Sequence, residues 1–120
     1  MEFVDFDLAK KLKEKGFNVP FYFYYRTDDK YLHHTMAIKP LVYCDKIEDE
    51  VVCAPTISQV LKWLREEKKI YVSVEVERED WFEYKIVQTI KNTRCTGTRV
   101  YDTYIEAILA GIEYVIHNLI

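Results

Sequence analysis

The chain has 120 residues, 49% hydrophobic and 31% charged, with three glycines, three prolines and a net charge of −3. That length implies one domain, residues 1–120, with a core large enough to fold without a metal or disulfide staple. The scarcity of glycine and proline excludes low-complexity disorder, and the acidic balance counts against binding that depends on neutralising phosphates.

Residues 5–16 predict a short helix, with Asp5 or Asp7 as its cap and Leu8 and Leu12 four apart on one face. Gly16 sits where a left-handed residue closes a helix, with Phe17 placed to touch Leu12. Lys10, Lys11, Lys13 and Lys15 crowd the second half, a solvated face that suits the negative end of the helix dipole. Phe21, Tyr22, Phe23, Tyr24 and Tyr25 form an unbroken aromatic tract, which fits a pleated strand apolar on both faces. Residues 36–43 suggest a further strand, demoted to an edge by Pro40, and 44–53 read as acidic and irregular.

Thr56 and Gln59 make a capping box for a second helix, with Ile57, Val60, Leu61 and Leu64 on its apolar face and Trp63 at the border. Ile70, Val72, Val74 and Val76 then alternate with Tyr71, Ser73, Glu75 and Glu77, which predicts a strand with one buried face. Arg78, Glu79 and Asp80 form a turn, and Phe82, Tyr84 and Ile86 alternate on the return strand. Pairing Val74 with Ile86 places Glu75 opposite Lys85, a favourable cross-strand pair. Residues 92–98 read as a loop.

The last helix is predicted over 102–119, with Asp102 or Thr103 as its cap. Ile105, Ile108, Leu109, Ile112, Val115, Ile116 and Leu119 form one apolar stripe, and Tyr104, Ala107, Gly111 and Tyr114 form a second. A surface helix normally has one polar face, so this one is expected to be covered on two sides. One cover is the sheet. The other is helix 2 or a second copy of the chain, with Tyr104, Ala107, Gly111 and Tyr114 as the candidate interface. The expected fold is α+β and two-layered, in the order α-β-(β)-α-β-β-α, a mainly antiparallel sheet with helices on one face.

No phosphate-binding loop, dinucleotide fingerprint, HExxH, GxSxG or CxxC motif occurs in the sequence. His33 and His34 are adjacent, so in an extended segment they point to opposite faces and do not chelate one ion. His117 stands near the end of the last helix, where a cation suits the dipole. Cys44, Cys53 and Cys95 are an odd number without metal spacing and read as reduced, which fits a cytoplasmic location. The acidic opening MEFVDFDLAK lacks the apolar core of a signal peptide, and no run is long enough for a membrane span. Carboxylates such as Glu48, Asp49 and Glu50 read as solubilising charge. No cofactor, metal or catalytic residue is assigned, and an enzyme is not expected.

The block Ala54 to Glu66 followed by Ile70, Tyr71 and Val72, the opening Leu8 to Phe17, and the closing Tyr104 to Ile108 resemble small uncharacterised proteins of gut anaerobes and their phages. The resemblance implies a fold and a phage or prophage origin, and brings no activity, cofactor or partner with it. The leading expectation is a non-catalytic protein-interaction or self-association domain, forming a homodimer or meeting an unidentified protein partner. Two alternatives stand beside it. One is a nucleic-acid module using the aromatic strand and Lys10 to Lys15. The other is a small-molecule site built from residues 26–53.

Overall fold

The computed structural model describes residues 2–17, 23–34, 51–97 and 99–120. Phe21, Tyr22, Cys44, Glu48, Asp49, Glu50 and the strand expected over 36–43 lie outside that set. The fold is mixed α+β, with three α-helices and two three-stranded antiparallel sheets among the described residues, and its element order follows the expected one with further strands added. The chain divides into two units, Met1–Ile57 and Ser58–Ile120.

In the first unit, α1 spans Phe6–Glu14. It begins at Asp5, whose Oδ1 accepts a hydrogen bond from the Leu8 amide at 2.8 Å. It ends at Gly16 with φ +89°, where the Phe17 amide donates to the Leu12 carbonyl (2.9 Å) and the Gly16 amide to the Lys13 carbonyl (3.1 Å). Those two bonds define a Schellman closure, and Phe17 and Leu12 are both buried with it. Strands β1 (Phe23–Arg26), β2 (Leu32–His34) and β3 (Val51–Cys53) form a sheet in the order β2-β1-β3. β3 corrects the irregular reading of 44–53 at its end: three residues are too few to show an alternation, and they become a strand by pairing with β1.

The residues before α1 are held against this unit by backbone bonds, Val4 to the Pro55 carbonyl (3.1 Å) and Ile57 to the Glu2 carbonyl (2.9 Å). The Tyr25 hydroxyl, from β1, donates to the Val4 carbonyl at 2.5 Å. Phe23 and Tyr25 of the aromatic tract therefore serve as packing. Phe23 lies 4.8 Å from the Phe3 ring and Tyr25 meets the Phe6 ring edge-on at 6.0 Å.

α2 (Ile57–Trp63), whose residues from Ser58 on belong to the second unit, passes into a π-helical turn, Leu64–Lys68, that ends on Lys69 with φ +56°. Trp63, expected at the border of the apolar stripe, is buried, with the Lys68 ammonium over its ring at 5.3 Å. Strands β4 (Ile70–Arg78), β5 (Trp81–Gln88) and β6 (Thr93–Thr96) follow in that spatial order, and α3 (Tyr104–Asn118) lies against β4 and β5. β6 occupies most of what reads as a loop in sequence. Its polar TRCT has no apolar alternation and forms a strand by pairing along β5.

The hairpin register also differs from the expected one. Val74 faces Tyr84 and Val72 faces Ile86, so Glu75 stands opposite Glu83. The cause is the turn. It closes on Glu79 and Asp80 alone, with Asp80 at φ +62° and a bulge between Val76 and Arg78. The expected ion pair survives diagonally, with Lys85 Nζ 2.6 Å from Glu75 Oε2, which also offsets the facing carboxylates. No helix of the described residues is long and apolar enough to cross a membrane.

Candidate functional site

α3 is capped by Thr103, whose Oγ1 accepts from the Glu106 amide at 3.1 Å. The sheet meets the helix at its small residues. A Cβ on Gly111 would stand 2.8 Å from Val72 Cγ1 and 3.1 Å from Tyr84 Cβ, so the backbone of α3 rests directly on β4 and β5. This revises the expected interface of Tyr104, Ala107, Gly111 and Tyr114. Ala107 and Gly111 are buried in the chain itself and offer nothing to a second copy. Small residues let a sheet come as close as another helix, and the circumference of a helix does not say which arrives. Ile108, Ile112, Val115 and Ile116 of the first stripe are buried as well.

Tyr104 and Tyr114 remain exposed, at 49% and 37%. The Tyr114 ring lies 6.2 Å from that of Tyr84, which in turn lies 6.4 Å from that of Tyr101. Burial, with Tyr101, Cys95 and Tyr114 nearby, pushes the Tyr84 phenol above its usual value. Beside this cluster, Ile86, Cys95, Tyr114 and Leu119 line a cavity of about 170 Å³, smaller than drug-sized sites require.

A second exposed feature is β4. It is a terminal strand of its sheet, with no strand on its outer side among the described residues. Its burial fades along its length: Ile70 is buried, Val72 and Val74 are half-buried, and Val76 is 59% exposed. Tyr71 adds an exposed ring on the opposite face. Sequence reasoning treated Val74 and Val76 as core because alternation shows a face and not a sheet edge. The run from Ile70 to Val76, with neither proline nor lysine to guard it, is the signal that could have raised the question.

The polar candidates are otherwise engaged. His33 stacks on Tyr24 (5.4 Å between centroids), and its Nε2 lies 3.1 Å from Asp29 Oδ2. The Tyr31 amide, and then His33, hold the Asp29 carboxyl below the usual carboxylate range. Cys53 shares a cross-strand row with Tyr24 and His33, so the tyrosine stands between the sulfur and the imidazole. Cys53 is also disulfide-bonded, which corrects the reduced reading of the cysteines, whereas Cys95 is free. A sulfur in a disulfide is not a thiolate nucleophile. His117 is exposed in the last turn of α3, and among the described residues no three His, Cys, Asp or Glu side chains group to hold a metal.

No family model, curated protein or solved structure matches this chain.

Proposed function

We propose that the chain is a non-catalytic protein-interaction domain that acts by self-association. The observation that carries this reading is the exposure of apolar side chains on a regular element: Tyr71 at 43% and Val76 at 59%, both on the terminal strand β4. Val76 lies on the α3 face of β4 and Tyr71 on the other, so what they share is the open strand edge, and such an edge is a template for another strand. Phage or prophage origin rests on the sequence resemblance alone. The aromatic strand offers less to single-stranded nucleic acid than its sequence promised, because the rings of Phe23, Tyr24 and Tyr25 are taken by Phe3, His33 and Phe6. The disulfide at Cys53 weighs against the cytoplasmic location that reduced cysteines implied, since such bonds are rare in reducing compartments.

Sedimentation velocity from low to high micromolar concentration tests the proposal. The sedimentation coefficient is expected to rise with concentration toward that of a dimer. A monomer throughout refutes self-association.

A further inference from the structure

We infer that the occupant of the β4 edge is the β4 strand of a second copy, paired antiparallel with Val74 opposite Val74, so that two three-stranded sheets join into one of six strands. The inference rests on the self-association reading above and names its surface and register.

The hydrogen bonding of the sheet says which backbone groups are on offer. The Tyr84 carbonyl accepts from Gly97, and Phe82 exchanges both of its bonds with Tyr101, so the even residues of β5 face away from β4. Their partners Val72, Val74 and Val76, opposite Ile86, Tyr84 and Phe82, therefore turn their own N–H and C=O groups outward. Tyr71, Ser73 and Glu75 turn theirs toward β5. Unpaired outward groups on a long strand are a template for another strand.

The limits of the open stretch fix the register. Ile70 is only 3% exposed, so pairing does not extend through it. The bulge between Val76 and Arg78 ends the regular ladder at the other side. The outward residues between these limits are Val72, Val74 and Val76, symmetric about Val74. Two-fold pairing there sets Val72 against Val76 of the second copy, which covers the exposed Val76 with an apolar partner. It sets Glu75 directly opposite Ser73, and the Glu75 of the second copy falls on the diagonal, where Lys85 of each copy already pairs its own Glu75. Centring on Glu75 instead would oppose two carboxylates, and centring on Ser73 would require the buried Ile70.

The test compares the full chain with Val74→Pro and Val76→Lys by sedimentation equilibrium. Proline at 74 removes an outward donor and leaves the bonds to β5 in place, as edge positions allow. Both variants are expected to keep the wild-type circular dichroism and to weaken the dimer roughly tenfold or more. A wild-type monomer overturns the self-association reading itself. A wild-type dimer that Val76→Lys leaves intact overturns the edge inference alone, and so does a dimer abolished by Tyr104→Ser with Tyr114→Ser. Amide exchange on the unmodified chain gives a readout that no folding defect disturbs. The amides of Val72, Val74 and Val76 are expected to gain protection as concentration rises, whereas those of Tyr71, Ser73 and Glu75 are protected throughout. Protection that does not alternate with residue parity overturns the assignment.

Discussion

Replacing Gly111 with alanine sets two effects against each other and so tests where α3 rests. In a helix interior, alanine is favoured over glycine by about 1 kcal/mol. A Gly111 facing solvent or an open interface would therefore gain about that much on substitution. In the structure, the new methyl group meets Val72 Cγ1 at 2.8 Å, Tyr84 Cβ at 3.1 Å and Tyr84 Cγ at 3.2 Å. Val72 is β-branched and held in a paired strand, so its χ1 has little freedom. The Cβ of Tyr84 is anchored to backbone and cannot swing away. Overpacking of this kind costs about 1–3 kcal/mol. With stiff neighbours the cost falls in the upper half of that range, and the net loss after the helix gain is about 1–2 kcal/mol. For a chain of this length that lowers Tm by roughly 4–8 °C. Thermal unfolding of Gly111→Ala measures it, and a rise in Tm would refute the placement of α3 on β4 and β5. Adding Val72→Ala removes the nearest atom, so the double variant is expected to lose less than the sum of the singles, by about 1 kcal/mol. Strict additivity would mean that the methyl group finds its cost elsewhere.

Tyr25→Phe leaves the Val4 carbonyl without its hydroxyl donor and is expected to cost about 1–2 kcal/mol by denaturant titration. Burial, then Asp5, raises the Tyr25 pKa, so its contribution is present below the unfolded value near 10 and is lost as pH climbs through the folded one; the phenylalanine variant should lack that part of the alkaline loss. Gly16→Ala meets no atom within 4 Å but must adopt φ +89°, so it is expected to cost about 1 kcal/mol through backbone strain alone, and a neutral result would reject the left-handed closure. Asp29 has a lowered pKa, so its contribution holds above the unfolded carboxylate range and fades as pH falls through the folded pKa; Asp29→Asn should flatten the acid limb of a Tm-against-pH profile, and an unchanged limb would reject the role of Tyr31 and His33.

What was legible in the sequence was what local chemistry decides. Asp5, Leu12, Gly16 and Phe17 specify both ends of α1 within a dozen residues, and every bond they imply is present. The hairpin was legible as two alternating strands, but its register hung on where the turn closes, and a bulge of one residue is invisible to an alternation pattern. Strands β3 and β6 have three and four residues, below the length at which periodicity speaks, and they exist because β1 and β5 offer them an edge. The π-helical turn after Trp63 hides for a related reason, since its LREEK continues a good helical composition. At the candidate site the failure was one of assignment. Gly111 was placed with Tyr104, Ala107 and Tyr114 on a covered stripe, but a glycine does not say whether strand or helix approaches. The edge of β4 was legible only as an apolar run without proline or lysine, because neighbours in a sheet are a property of the whole fold.

The opposite rim of the second sheet has its own consequence. β6 is four residues long, carries no large apolar side chain, and gives way at Gly97, whose Cα sits too near the Tyr84 ring for any larger residue. A strand that docked there would find little ladder to extend. Joining β4 to β4 uses the same patch on both copies and closes on itself, whereas β4 to β6 would be head-to-tail and could grow without limit. On the β4 pairing inferred above, the poverty of β6 would act as a terminator: one rim of the sheet could join a second copy without committing the chain to filaments.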